Sequence, residues 1–267
     1  MILSRRIALD DAWLDEVDNS IVIRSINVGT PKENVQAVNR MGGAGQRITT
    51  THWETLETSV TFAIDLPKTD LIGRRRVFDA AVKWANKTGW LKVNYMPGKW
   101  MYVDKTVFQG SGDLWNWTEE FTFTFRAYNV PFWQSDFISK DAHGTSVEDV
   151  KIEVPGNVES VMDASIMNSS GAKISYLTIY TKKSNKTIAT IKLDGIELAA
   201  NWMLSISHGT NGIMEITKTN GRETVSLMSL LKASSSDDLY IRPGQMTISY
   251  TAERLVHAVF SFRGRYL

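Results

Sequence analysis

Trp115-Asn-Trp-Thr-Glu-Glu-Phe-Thr-Phe-Thr-Phe-Arg-Ala-Tyr-Asn-Val-Pro-Phe-Trp133 decides how this chain is read. In its middle Phe121, Phe123 and Phe125 alternate with Thr122, Thr124 and Arg126. Successive side chains of a strand point to opposite faces, so the three phenylalanines build one apolar face. Phenylalanine and threonine both suit a pleated, half-buried surface. Pro131 then removes a backbone donor and stops the ladder. Residues 135–150 that follow are polar and weakly patterned, which reads as a linker. The chain is expected to divide into a domain over 1–134 and a second over 151–267.

Upstream, Ile21 to Ile26 is β-branched and reads as a strand, and Val60 to Leu66 alternates as another. From Thr69 or Asp70, Val77, Ala80, Ala81, Trp84 and Ala85 recur at helical spacing, with Gly89 just past the expected end. The Met96-Pro97-Gly98-Lys99 turn joins strands at Trp90–Tyr95 and Trp100–Asp104, and suits type II geometry. The first half is therefore α+β, with β-sheets and one helix. After Val150 short strand candidates recur: Lys151–Gly156, Lys173–Tyr180, Lys186–Leu193, Trp202–Ser207, Met246–Tyr250 and Leu255–Tyr266. Asn211-Gly212 and Asn220-Gly221 bracket Ile213–Lys218 as a hairpin signal. This half reads as an all-β sandwich of the jelly-roll kind.

Composition removes several functions. At 267 residues there is room for two ordinary domains or one large β domain. Net charge is +1, so no global field draws nucleic acid or an anionic membrane. The sequence has no cysteine, which excludes disulfides, thiolate catalysis and cysteine-held metal. No run reaches the roughly 18 apolar residues of a membrane span, and the N-terminus lacks the apolar core of a signal peptide. His52, His143, His208 and His257 stand singly, without metal-ligand spacing. The acidic cluster from Asp10 to Asp18 lacks the glycine turn of a calcium loop and reads as a solvated loop or short helix. Glu119-Glu120 and Asp237-Asp238 are neighbours that point apart on a strand, so neither suggests a carboxylate dyad. No enzyme chemistry, cofactor site or metal site is expected.

Three stretches invite a functional reading. Met41-Gly42-Gly43-Ala44-Gly45-Gln46 resembles a phosphate loop in composition only. A β-prone run follows it where a dinucleotide site needs a helix, so it reads as a turn or exposed arm. Arg74-Arg75-Arg76 falls in the first turns of the helix, a poor place for cations; an exposed face or a partner carboxylate is the expected reading. Eight of the nine tryptophans lie in the first half, which favours core plus subunit interface there.

The order of these elements resembles phage distal tail proteins, the ring-forming baseplate components of long, non-contractile tails. The resemblance rests on the Gly-rich Met41–Gln46 loop before a strand pair, the Thr69–Gly89 helix, the Pro97-Gly98 hairpin and the Phe-rich strand closing on Pro131-Phe132-Trp133. It continues in Leu239–Gly244 and in the terminal Phe260–Leu267. It implies an N-terminal domain forming a homo-hexameric ring and a C-terminal galectin-like β-sandwich at the periphery, in the short form without inserted carbohydrate-binding modules. It further implies a virion protein of the tail tip, made in the host cytoplasm, which joins tail tube and tape measure to tail-associated lysin-like and receptor-binding proteins. DNA would pass through the ring without recognition, and no membrane insertion is implied. The expected subunit interface is Met41, Gly42, Gly43 and Gln46, with the face carrying Arg74 and Arg75. Two other readings stand beside it. One is a tail tube component with a related ring domain. The other is a monomeric glycan-binding protein acting through its second half, with Trp202, Tyr240 and Tyr250 as the aromatic candidates.

Overall fold

A computed structural model describes residues 5–39, 46–109, 120–209 and 211–267. Its contacts separate two compact units, essentially Met1–Trp133 and Gln134–Tyr266.

The first unit opens with β1 (Ile7–Leu9), β2 (Ala12–Trp13), a one-turn helix α1 (Leu14–Val17) and β3 (Ile21–Val28). A hairpin of β4 (Glu33–Asn39) and β5 (Gln46–Trp53) follows, then β6 (Leu56–Ile64), the helix α2 (Leu71–Ala85), β7 (Gly89–Val93), β8 (Trp100–Val103), β9 (Lys105–Gln109), β10 (Phe121–Ala127) and the two-residue β11 (Trp133–Gln134). Strands β3, β6, β10 and β9 form one antiparallel sheet in that order. The expected alternation is realised in β10, where Phe121, Phe123 and Phe125 are all buried. They stand opposite Phe62, Val60 and Thr58 of β6. The other face is held by polar pairs: the Thr61 and Thr122 hydroxyls lie 3.0 Å apart, and Arg126 meets Glu57 at 2.8 Å. Thr124 departs from the simple pattern, because it too is buried.

Helix α2 covers the phenylalanine face. Phe78 packs 5.0 Å from Phe121, and Trp84 packs edge-on against Phe125 at 5.8 Å between centroids. Asp70 caps the helix, accepting the Gly73 N–H at 2.9 Å. The helix stops at Ala85, with the Asn86 N–H closing on the Val82 carbonyl, so Gly89 is not its terminator. Gly89 instead opens β7, where a Cβ would come within 2.3 Å of the Asp10 carboxylate that accepts the Trp90 N–H. In the Pro97-Gly98 turn Gly98 takes φ 68°, as a type II turn requires.

The second unit contains β12 (Ile138–Val154), β13 (Ser160–Asn168), β14 (Ile174–Lys183), β15 (Lys186–Leu198), β16 (Met203–His208), β17 (Met214–Thr219), β18 (Thr224–Ser226), β19 (Tyr240–Ile241) and β20 (Gly244–Phe262). The expected linker is thus largely strand: Ile138 to Val154 pairs along its length with β20. The two expected C-terminal strands are one 19-residue strand. The early half of β20 pairs with β14 and the late half with β13. One long ribbon therefore belongs to both halves of a curled nine-stranded sheet. Its core runs from Ile152 and Val154 through Met162, Ile166, Ile179 and Ile206 to Phe260. The Asn220-Gly221 turn appears as expected, with Gly221 at φ 85° between β17 and β18.

Candidate functional site

The β4–β5 hairpin pairs with no other strand among the described residues. Eight residues of β5 reach about 25 Å, and an isolated two-stranded ribbon is marginal in water. Its base is anchored. The carbonyl of Lys32 accepts the Glu54 N–H at 2.8 Å, and Trp53 packs edge-on against Phe132 at 4.9 Å. The Trp133 indole donates to the Gly29 carbonyl at 3.1 Å. Gly29 is required there, since a Cβ would sit 1.9 Å from the carbonyl oxygen of Glu57. Beyond this base Glu33, Asn34, Val35 and Gln36 are exposed. The hairpin is an arm rooted at its base, with Val35 exposed on it and no further strand paired to it among the described residues.

Of the residues expected at an interface, Met41, Gly42 and Gly43 lie outside the described residues. Gln46 begins β5 opposite Asn39. Arg74 and Arg75 do not share a face. Arg74 is 4% exposed and donates from Nη1 to the Ile64 and Leu66 carbonyls, each at 3.1 Å, tying α2 to the end of β6. Arg75 is exposed and meets Asp79 one turn along at 3.0 Å. Beside them Ile72 is 87% exposed, an apolar side chain that sequence reasoning passed over. Arg74→Ala strips charge-assisted donors from two carbonyls and is expected to destabilise the first unit by about 2 kcal/mol. Arg75→Ala, at an exposed position paired with Asp79, should stay within about 0.5 kcal/mol. Urea titration followed by tryptophan fluorescence separates the two, and equal losses would contradict these roles.

The sequence matches no protein-family profile and no curated protein. Among solved structures it is similar to the SPP1 Dit protein, described as a paradigm of the hub adsorption apparatus in phages infecting Gram-positive bacteria. The TM-score is 0.65 at 12% identity, over 98% of this chain and 99% of that one. The chain has the distal tail protein fold. Two chains of the phage P2 baseplate in its activated conformation, with Sr and with Ca, align at TM-scores of 0.49 and 0.47, with 12% and 10% identity. These cover 97% of this chain in both cases, and 97% and 98% of the baseplate chains.

Within this distal tail fold the three aromatic glycan candidates do not converge. Tyr250 is 1% exposed, a core residue. Tyr240 is opposite Val161 at one end of β13, while the carbonyl of Trp202 accepts the Asn168 N–H at the other. Seven residues of strand separate those ends by about 23 Å. Trp202 is also half-covered by Lys218, whose ammonium lies 5.7 Å from the ring centroid. No stacking platform results.

The polar cluster of this unit is elsewhere, and no sequence spacing signals it. His208 is held between Asp163 on Nδ1 at 2.7 Å and Asp238 on Nε2 at 2.6 Å. With a carboxylate on each nitrogen, both must donate, so the ring is an imidazolium. Burial by itself would lower its pKa, but the two hydrogen bonds and the two charges prevail and hold it at about 9. Burial, then the charges of Asp237 and Asp238, also push the nearby Tyr240 phenol up to about 12. Among the described residues no group of three or more His, Asp or Glu side chains could hold a metal ion. The cluster ties β13, β16 and the segment before β19 together through the buried His208 ring.

Proposed function

We infer that this chain is the hub subunit of a siphophage tail tip. Six copies form a ring through the first unit, and the second unit is galectin-like. The observation that carries this reading is the end-to-end likeness to a solved hub protein at a TM-score of 0.65. The rooted arm supports it, because a two-stranded ribbon that no other described strand flanks gains most by lying on a neighbouring copy. In this role the ring joins tail tube and tape measure to tail-associated and receptor-binding proteins, and its work is mechanical.

The experiment is the mass of the purified chain by light scattering on a sizing column, with negative-stain images of the main peak. A six-subunit ring with an open centre is expected. Val35 and Thr51 are register partners across the arm. Residues 36–50 can therefore be replaced by a two-residue Asn-Gly turn without disturbing its base. That variant should keep its secondary structure and run as a monomer. A native chain that is monomeric at all concentrations, or a shortened one that still forms rings, would sink the role assigned to the arm.

A further inference from the structure

The second unit matches several of its surface cations with partners of its own. Lys173 meets Glu197 at 3.2 Å, Lys232 meets Asp194 at 2.9 Å and Arg242 meets Glu159 at 2.9 Å. Lys183 and Lys218 donate to the carbonyls of Pro243 and Ile196. Lys140, Lys151 and Lys182 meet no carboxylate among the described residues, and all three line one open groove of about 760 Å³.

The sheet register explains their convergence. Lys151 on β12 and Lys182 on β14 are both partners of Thr247, on either side of β20. Two strand spacings set them about 10 Å apart, too far to share one carboxylate and close enough for one extended chain to touch both. Lys140 arrives from the opposite end of β12. Register shifts between Gly144 and Ser146, and between Val147 and Val150, break the regular ribbon between those ends.

Lysines on a sheet edge also serve to prevent edge-to-edge pairing, which would account for Lys140 and Lys151. It does not account for Lys182, on the interior strand β14 paired with both β15 and β20, whose ammonium lies 5.9 Å from the Tyr180 ring centroid and meets no carboxylate among the described residues. A ligand accounts for all three. Its chemistry follows from what lies between them. Among the described residues that line it the groove has no arginine, the side chain whose planar fork matches carboxylates; its positive charges are ammonium point charges. Among them stand Ser184, Asn185, Gln245 and Thr247, which donate to and accept from hydroxyls. Ser184 and Asn185 are set in left-handed backbone, φ 49° and 64°, in the tight turn between β14 and β15. Glu153 also lines the groove and repels anions from its own position.

We propose that this groove binds a linear polyol or sugar phosphodiester, with phosphates on Lys140, Lys151 and Lys182 and hydroxyls on the neutral side chains between them. The site lies wholly in the second unit and stands whether or not a ring forms.

The test titrates the full chain against an end-labelled glycerol phosphate oligomer, read by fluorescence anisotropy. Unphosphorylated polyglycerol and poly-glutamate of similar length serve as comparisons. The phosphodiester should bind, the neutral polymer should not, and poly-glutamate should bind at least tenfold more weakly. Raising salt from about 50 to about 200 mM should weaken binding by roughly twentyfold, as expected for about three neutralised charges. Lys140→Ala, Lys151→Ala and Lys182→Ala together should abolish it at an unchanged melting temperature, whereas Lys173→Ala with Lys232→Ala should leave it intact. If the triple variant melts early, the single charge reversal Lys151→Glu is read in its place. Absence of phosphodiester binding by the native chain, binding indifferent to the groove lysines, or tighter binding of poly-glutamate would each overturn the proposal. The last of these would mark the groove as a dock for an acidic peptide.

Discussion

Replacing Phe125 by alanine is expected to cost the first unit about 3–5 kcal/mol, enough to leave it largely unfolded at modest urea. Phe125 is fully buried, opposite Thr58 on β6, and its ring receives the edge of Trp84 from α2. Truncation removes one of the two aromatic contacts described between β10 and the helix, and the ring's volume stays behind as a cavity. Thr122→Ala, on the opposite face of the same strand, loses one hydroxyl contact at 3.0 Å and should cost about 1 kcal/mol. The measurement has a convenient probe. Eight of the nine tryptophans fall within residues 1–133, so the fluorescence transition reports that unit almost alone. Because the chain has two units, a single midpoint for the whole molecule is not expected. Equal shifts for the two variants would mean that β10 does not divide the unit into a core face and a polar face.

That division was legible because the two faces of β10 differ in chemistry at every step. The Pro97-Gly98 turn and the capped start of α2 were legible for the same reason: each depends on residues with strong local preferences. Arg74 was misread although its signal was present. It lies three and seven residues before Val77 and Ala81, on the stripe that faces the core, and only its charge suggested a surface role. The first half of β12 could not be recognised. It is an edge strand in which Lys140, Asp141 and His143 are exposed and only Ala142 is buried, so the sequence shows no period. Strand β13 was missed because its inward positions include Ser160 and Asn168, both buried through hydrogen bonds the sequence cannot announce. The arm was read as a possible arm from its glycines, but its isolation from every other described strand is a property of the folded chain. The basic groove gathers Lys140, Lys151 and Lys182 through register, and the His208 tie joins positions 163, 208 and 238. Neither leaves a local trace.

The His208 tie makes the second unit's stability depend on pH in a definite direction. Asp163 and Asp238 flank the ring, Leu239 donates its N–H to the same Asp238 oxygen, and Arg265 and Tyr240 stand beyond it. The folded-state pKa is raised from 6.5 to about 9. A raised cation stabilises the fold fully below the unfolded value, and that contribution fades as pH climbs through the folded one. The fold should therefore keep this contribution up to about pH 6.5, lose it progressively, and be without it above about pH 9. The difference corresponds to roughly 3 kcal/mol, or about 10 °C in the melting temperature of a unit this size. His208→Gln leaves the two carboxylates without the imidazolium between them, although Arg265 still interacts with Asp238, and should lower stability at neutral pH by about 3 kcal/mol. The decisive comparison is the gap between native and variant melting temperatures at about pH 6 and about pH 10, followed by circular dichroism, since the second unit carries only Trp202. The gap should be wide at the lower pH and nearly closed at the higher. A gap that persists at high pH would mean that the imidazole acts there by packing and neutral hydrogen bonding, with its positive charge contributing nothing.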